Sequence, residues 1–397
     1  MIKYQLEKHY LKTAKKRVKV CSRCIYDERV PQIYFDAEGV CNYCKLIERL
    51  SEQYGTNTKL GEENLKNIIN AVKLNGKSKK YDCIVGVSGG TDSSYLLYLC
   101  KKWNLRVLAV HYDNTWNSSI ASENMRKVLQ SLDIDLYTLV VDNKEADDIF
   151  KSFFLSGVPE IDASTDLGFT ETLYRAASKY NIKYVFEGHS FLTEGITPLG
   201  KNYFDGKYIS SIHNKFGTQK MITYPLMTFW RFLWWTCVKR IKRIRPFWYV
   251  CEDKEVMRKF LEKKFDWQYY GGHHLENRIT SFFHSVYSPQ KFNADLRNNT
   301  LSANVRNGNM KRLDAWREYN SDPFIEEELV SYFKKRLCIS DKEYEEIMNS
   351  KPKFWYNYPT YKKKFELLRP IFWIFVKANL VPESFYIKYC FPNKNQK

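Results

Sequence analysis

The chain has 397 residues, 44% of them hydrophobic and 27% charged, with a formal net charge of +18. This length allows two or three domains around a large core, and this balance excludes an intrinsically disordered or fibrous chain. The positive excess favours an anionic partner, whether nucleic acid, anionic lipid, ATP or a nucleotide-linked sugar, and does not choose among them.

In chain order, the first stretch, MIKYQLEKHYLKTAKKRVKV, is charged and has no apolar signal core. The longest apolar run of the basic tail, Ile371–Val376, is far too short to span a bilayer, so a cytoplasmic location is expected. Ten cysteines in such a chain argue against a disulfide framework. Four of them form two CxxC pairs, Cys21 with Cys24 and Cys41 with Cys44, sixteen residues apart. Each pair can present two thiolates to one ion, and together they complete a tetrahedron. A structural zinc site is expected, with an iron–sulfur centre as the alternative. A four-sulfur site has no open position, so its role is to fold a segment too small to hold a core. The other six cysteines are read as small core residues. Ile33–Val40 reads as a strand and turn, and Leu50–Lys80 as a polar connector with an amphipathic helical piece over Leu65–Val72.

The most informative stretch is Tyr81–Cys100. A buried strand, Ile84–Val87, breaks into Ser88-Gly89-Gly90-Thr91-Asp92-Ser93, and a helix follows. Strand, glycine turn and helix start together aim backbone N–H groups at an anion. No lysine follows the glycines, so this is not the common P-loop. It fits instead the SGG-x-DS loop of the ATP pyrophosphatases, which split ATP into AMP and pyrophosphate.

Alternation then continues. Strands are expected at Arg106–Val110, Leu136–Val141 and Tyr184–Phe186, and helices at Ser119–Leu132 and Thr170–Tyr180. Alternating units of this kind predict an α/β fold, a doubly wound and mostly parallel sheet with ligands at the carboxyl ends of the strands. The loops Ser88–Ser93, His111–Asn117 and Glu187–Gly195 would then share one crevice. Asp162 and Asp166 lie in a polar loop before a helix; Asp166 either caps that helix or, like Asp162, faces the crevice.

Thr228–Val250 holds six Lys or Arg and no acid. It reads as a buried aromatic helix with a basic end, against an interfacial membrane helix or a nucleic-acid patch. Trp267–Arg278 contains two glycines, then His273, His274, Glu276 and Arg278. The histidines and Glu276 either bind a metal or line a polar, substrate-facing loop, and a helix through Lys291-Phe292 is expected to pack on it. The tail from Lys351 carries ten basic and two acidic residues among many aromatics. It covers the core, binds a partner or touches a membrane surface. The expected division is 1–76 for the knuckle and connector, 77–225 for the nucleotide domain, 226–345 for a helical substrate region and 346–397 for the tail.

Taken together, CSRCIYDERVPQIYFDAEGVCNYC, VGVSGGTDSS, VHYDNTWNS, VFEGHSFLTEG and WQYYGGHHLENRITSFFHS resemble, in order and spacing, the N-acetyl sugar amidotransferases of bacterial surface-polysaccharide and nonulosonic-acid pathways. The resemblance covers roughly residues 20 to 340. It implies an adenine nucleotide alpha hydrolase-like PP-loop domain with a helical C-terminal region. It also implies AMP transfer from ATP to the acetamido oxygen of a sugar, with Mg²⁺, and displacement of AMP by ammonia to leave an acetamidino sugar for O-antigen or capsule.

On that resemblance Ser88, Gly89, Gly90, Thr91, Asp92 and Ser93 cradle pyrophosphate, with Asp92 orienting the loop or holding Mg²⁺. His111, Asp113, Asn114 and Gly188 lie near the nucleotide. Asp92, Ser93, His189, Glu194 and Arg278 serve catalysis, and Asp162, Asp166, His273, His274, Glu276 and Arg278 the sugar. The chain shows no glutaminase signature, so ammonia would come from a separate glutaminase through a cyclase-like, ammonia-conducting subunit. No nucleic-acid partner is expected, while a homo-oligomer and peripheral membrane contact stay open. The alternative enzyme is a tRNA-thiolating ATP pyrophosphatase, which needs a catalytic cysteine that none of the three loops supplies. A zinc-ribbon nucleic-acid binder would explain the knuckles and the charge but not Ser88–Ser93.

Overall fold

A computed structural model of the chain describes residues 18–196, 203–272, 275–323, 325–378, 380–381 and 383–392. His273 and His274, both expected at the substrate, lie outside the described residues.

The connector is more helical than its polarity suggests. It forms α1 (Asn42–Tyr54) and α2 (Lys59–Gly76), the second enclosing the expected helical piece. Then come β1 (Cys83–Gly86), α3 (Thr91–Lys102), β2 (Val107–Asp113), α4 (Ser119–Leu132) and β3 (Asp135–Val140). A helix absent from the sequence reading, α5 (Asn143–Ser156), precedes α6 (Ala163–Lys179) and β4 (Tyr184–Phe186). α6 begins before the expected Thr170. Its N-cap is Asp162, without a side-chain cap bond, and Asp166 sits in its first turn, so Asp166 does not cap it. A single turn, α7 (Phe191–Glu194), and α8 (Gly206–Phe216) follow.

Thr228–Val250 departs from the expected single helix. It forms α9 (Phe229–Leu233), a π-helical turn over Trp234–Val238, and a fifth strand, β5 (Lys242–Ile244). Its charge pattern hid this strand, because Arg243 and Arg245 both turn onto Glu187 at the end of β4. Burial alone would raise the Glu187 carboxyl, but the two guanidinium groups outweigh it and hold it below the usual range.

The five strands are parallel, in the order β3-β2-β1-β4-β5. β1 and β2 are buried on both faces, which is why they read as unbroken apolar runs. Neighbouring β1 side chains go to opposite cores: Ile84 joins the α5–α6 side, and Cys83 and Val85 join the α2–α3 side. The chain runs outward one way from β1 through β2 to β3, and the other way through β4 to β5. The reversal therefore falls between β1 and β4, where open α/β sheets bind ligands.

The rest is helical: α10 (Lys254–Phe265), α11 (Arg278–Phe282) running through a π-turn into α12 (Ser288–Phe292), α13 (Arg297–Arg306), α14 (Arg312–Tyr319), α15 (Leu329–Arg336) and α16 (Asp341–Asn349). The tail adds α17 (Lys362–Leu367), α18 (Arg369–Lys377) and α19 (Glu383–Cys390), whose phenylalanines pack on Phe229 and Phe232 of α9. No helix among the described residues is long and apolar enough to cross a membrane.

Candidate active site and candidate metal centre

The turn after β1 is shaped by what glycine lacks. Gly89 has φ +83°, and a Cβ there would lie 2.0 Å from the Ala121 carbonyl oxygen. Any side chain is excluded twice, by conformation and by space. Trp267 Nε1 donates to the Gly89 carbonyl at 3.0 Å and pins the turn from below. Ser88 Oγ accepts from the Gly90 amide at 3.3 Å, and Ser93 Oγ donates to the Gly90 carbonyl at 3.3 Å. α3 starts at Thr91 with no side-chain cap, so the turn leads directly into a helix N-terminus.

The second loop closes on the first. A Cβ on Gly188 would sit 3.1 Å from the Asp92 Cβ. Between them lies a residue that the sequence reading missed. Lys254 Nζ is 3.0 Å from Asp92 Oδ2 and 3.2 Å from Glu194 Oε1. Burial alone would lower this ammonium, but the two carboxylates dominate and raise it. Lys254 opens α10, and one lysine among 63 basic residues has no local signal to single it out. His189 accepts from Trp248 Nε1 at Nδ1 (3.2 Å), which leaves the ring proton on Nε2, 3.6 Å from Glu194 Oε2. Burial lowers the His189 pKa despite Glu194, so the ring is neutral near pH 7.

The third loop and the GGHHLENR stretch are stitched together. Asn117 bridges Asn277, the Ser118 amide donates to the Glu276 carbonyl, and the Arg278 amide donates to the Trp116 carbonyl. This delivers Glu276 to the cradle, where Ser88 Oγ donates to its Oε1 at 3.2 Å. Tyr270, also unforeseen, has its hydroxyl 3.1 Å from where a Gly90 Cβ would stand.

His111, Asp113 and Asn114 instead build the wall. His111 Nδ1 donates to the Val87 carbonyl (2.9 Å), and its Nε2 accepts from Asn117. Asp113 accepts from the Thr115 amide, and Asn114 is buried between Thr165 and Asn277. Asp162 and Asp166 stand at the start of α6, beside the Asn114–Thr165 contact. Arg278 turns its side chain onto Glu326 (3.2 Å) and the Tyr332 ring. The structure thus brings Ser88–Ser93, Gly188, His189, Glu194 and Glu276 together, and turns Arg278 outward.

None of the three loops holds a cysteine, but Cys251, from the segment before α10, reaches the crevice. Its Sγ lies 3.0 Å from Ser190 Oγ, beside the Lys254 cluster. Burial pushes this thiol up to about 12, the opposite of an activated nucleophile.

The four grouped cysteines are all buried, and their sulfur atoms lie within 4.8 Å of one another. Cys21–Cys44 and Cys24–Cys41 are each 3.9 Å apart, close to the ~3.8 Å edge of a tetrahedron with ~2.3 Å zinc–sulfur bonds. Amides of Arg23, Tyr26, Cys41 and Cys44 donate to these sulfurs at 3.3–3.4 Å. The Arg306 side-chain nitrogens are buried and make no hydrogen bond among the described residues; the guanidinium lies over the Tyr26 ring at 5.2 Å. Arg312 Nε donates to the Cys21 and Cys24 carbonyls. A four-thiolate zinc centre carries net negative charge and compensates a buried cation, whereas four neutral thiols do not. The residues fit structural zinc.

Residues 276–371 match the LPS biosynthesis protein WbpG-like C-terminal domain family. The chain is 28% identical over 171 residues to the uncharacterized protein MJ1599 of Methanocaldococcus jannaschii, covering 43% of this chain and 58% of that one. It is 28% identical over 151 residues to the tRNA-specific 2-thiouridylase MnmA 2 of Fusobacterium nucleatum, covering 36% and 42%. Among solved structures, the NMN synthetase of Francisella tularensis aligns with 13% identity and a TM-score of 0.33, over 75% of this chain and 95% of that one. The NH3-dependent NAD synthetase of Campylobacter jejuni aligns with 11% identity and a TM-score of 0.30, over 73% and 97%.

Proposed function

We propose that the chain, whose Ser88–Ser93 turn resembles the PP-loop of the ATP pyrophosphatases and whose residues 276–371 match the WbpG-like C-terminal domain family, is an ATP-dependent amidotransferase acting on an N-acetylated, nucleotide-linked sugar. The observation that carries this reading is the bond from Ser88 Oγ to Glu276 Oε1, which puts a residue of the WbpG-like region inside the pyrophosphate cradle. On this reading, phosphate chemistry and sugar binding would share one crevice.

The acetamido oxygen attacks the α-phosphorus of ATP, the bond to the β-phosphate breaks, and pyrophosphate leaves. The amide nitrogen gives up its proton in this step, which yields an O-adenylyl imidate. Ammonia adds to the imidate carbon, a proton returns to the original nitrogen, and the carbon–oxygen bond breaks. AMP departs and an acetamidino group remains. The Ser88–Ser93 amides and hydroxyls receive the charge that grows on pyrophosphate, from positions fixed in advance. Lys254 adds a cation between the two loops. Neutral His189 offers its Nε2 proton to a phosphate oxygen. Asp92 and Glu194 supply hard oxygen donors that fit Mg²⁺, which needs one or two carboxylates when phosphates complete its shell. When bound, that ion supplies neutralising charge to the phosphates. Ammonia comes from a separate glutaminase through a cyclase-like subunit, and the product enters surface-polysaccharide assembly in the cytoplasm.

The test is incubation of an acetamido nucleotide sugar with ATP, Mg²⁺ and ammonia. Expected are AMP, pyrophosphate and a product whose mass reflects exchange of one oxygen for NH. Formation of ADP, or an unchanged sugar, would overturn the reading.

A second reading has support in the MnmA likeness and in the position of Cys251: a tRNA-thiolating enzyme. The raised Cys251 thiol weighs against it, because thiolation chemistry uses the thiolate. Sulfur incorporation into tRNA that is lost in Cys251→Ser would establish it in place of the first.

A further inference from the structure

Exposed apolar side chains gather on two neighbouring elements of the C-terminal region, α9 and α18. α18 buries Phe372 against Phe232, Phe365 and Phe385, yet exposes Ile371, Trp373 and Ile374 to 45%, 51% and 57%. α9, packed on the same phenylalanine cluster, exposes Trp230 to 71%, and the adjoining π-turn exposes Trp234 to 49%. These are all the tryptophans counted as exposed among the described residues. A soluble surface does not gather tryptophan and isoleucine in this way without a partner.

Charge on the lobe narrows the partner. Lys239 lies over the Trp234 ring at 5.9 Å, Lys377 over Trp373 at 5.5 Å, and Lys364 over Phe229 at 5.8 Å. The α9–β5 segment contains no acid, and of the two acids in the tail, Glu366 is held by Lys362 at 3.6 Å while Glu383 lies in the first turn of α19. Tryptophan beside lysine, with isoleucine between, is the composition of a surface that enters the headgroup layer of a bilayer. A protein interface would instead be depleted of lysine.

We propose that this face docks on a membrane rich in anionic phospholipid, with Trp230, Trp234 and Trp373 at the glycerol level and Lys239 and Lys377 among the headgroups. The contact is peripheral, since no described helix is long enough to span. It concerns where the protein works and stands independently of the reaction it catalyses.

The test is flotation of the full chain with vesicles of phosphatidylcholine alone or mixed with phosphatidylglycerol. Binding is expected to the mixed vesicles only, with a blue shift of tryptophan emission. The triple variant Trp230→Ser/Trp234→Ser/Trp373→Ser removes exposed side chains and should keep the wild-type circular dichroism while losing flotation and blue shift. Lys239→Ala/Lys377→Ala should weaken binding about thirtyfold, at about 1 kcal/mol for each charge removed near the surface. No binding to anionic vesicles overturns the proposal. So does binding that the tryptophan variant retains, since general positive charge then suffices. So, too, does a tryptophan variant that changes the sedimentation mass, which would make the face an interface between copies or with a protein.

Discussion

In the crevice, the ammonium of Lys254 lies between two carboxylates, whereas near the cysteine cluster the buried guanidinium of Arg306 lies over the Tyr26 ring with no carboxylate on it among the described residues. The first arrangement is balanced by the chain alone. The second is balanced only if the four sulfurs carry charge together, as they do around a metal. The two regions are also in contact. A Gly195 Cβ would come 3.5 Å from Arg306 Nη2, Asn307 donates to the Leu192 carbonyl, and Gly195 directly follows Glu194. The turn that carries Glu194 therefore rests on the helix end that reads the cysteine cluster. On the proposed function, a metal bound by the four cysteines would in this way set the Glu194 carboxylate without touching substrate.

Metal removal should break this comparison most severely. Zinc binding in small four-ligand modules is worth on the order of 10 kcal/mol of apparent folding free energy. Cys24→Ser is expected to lose bound zinc and to expose the segment before α1 to limited proteolysis. A variant that loses the metal and keeps wild-type protease resistance would show that the clasp by Arg312, rather than the ion, holds the segment. Next in size is Asp92→Asn. It should cut pyrophosphate release by about two to three orders of magnitude, the usual cost of removing one preorganised group, and leave zinc content intact. Retained activity would sink the assignment of the cradle.

Lys254→Met tests the balanced side directly. It leaves Asp92 and Glu194 facing each other without their cation, so AMP formation should fall by about a hundredfold while the zinc stays. Arg306→Leu tests the other side. Loss of a group that supports a metal centre typically costs about 10–100-fold in metal affinity, measured by competition with a chelator, and Arg306→Lys should recover part of it. If Arg306→Leu leaves metal affinity unchanged, the cluster does not need the guanidinium, and the argument for its charge fails.

The sequence made the contiguous motif of each region visible and hid the residues that reach it from afar. Ser88–Ser93 is contiguous, and Gly89 is forced by its approach to the Ala121 carbonyl of α4, so the cradle could be read from six letters. The two CxxC pairs were equally plain, because thiolate spacing is a local property. Lys254 was invisible, because it reaches the cradle from 162 residues away and sits in no recognisable local pattern; Trp267 and Tyr270 lie in the WQYYGGHH stretch, whose histidines and Glu276 drew the reading instead. β5 was lost for a related reason: Arg243 and Arg245 pair with Glu187 at the end of the neighbouring strand, a contact that the local run of bases and aromatics, read as one helix, does not show. The parallel sheet was legible from alternation, yet α5, with nine of its fourteen residues buried, was not read.

The smallest effect expected is a dependence of stability on pH that comes from the crevice wall. His111 is buried, and burial lowers its pKa against the pull of its bond to the Val87 carbonyl and of nearby Asp113. In the unfolded chain the ring titrates near its ordinary 6.5. Between the lowered folded value and 6.5, the unfolded state binds more protons than the folded state, so stability rises with pH there. The contribution is fully present above 6.5 and is lost as the pH falls through that window. Thermal unfolding followed on either side of pH 6.5 should therefore show a fall in Tm on the acid side. His111→Gln, which keeps an amide in place of the ring, should flatten that fall while leaving the zinc content unchanged. A variant whose Tm follows the wild-type profile would place the acid sensitivity elsewhere, with His189 the next group to test, because its pKa is lowered by the same cause.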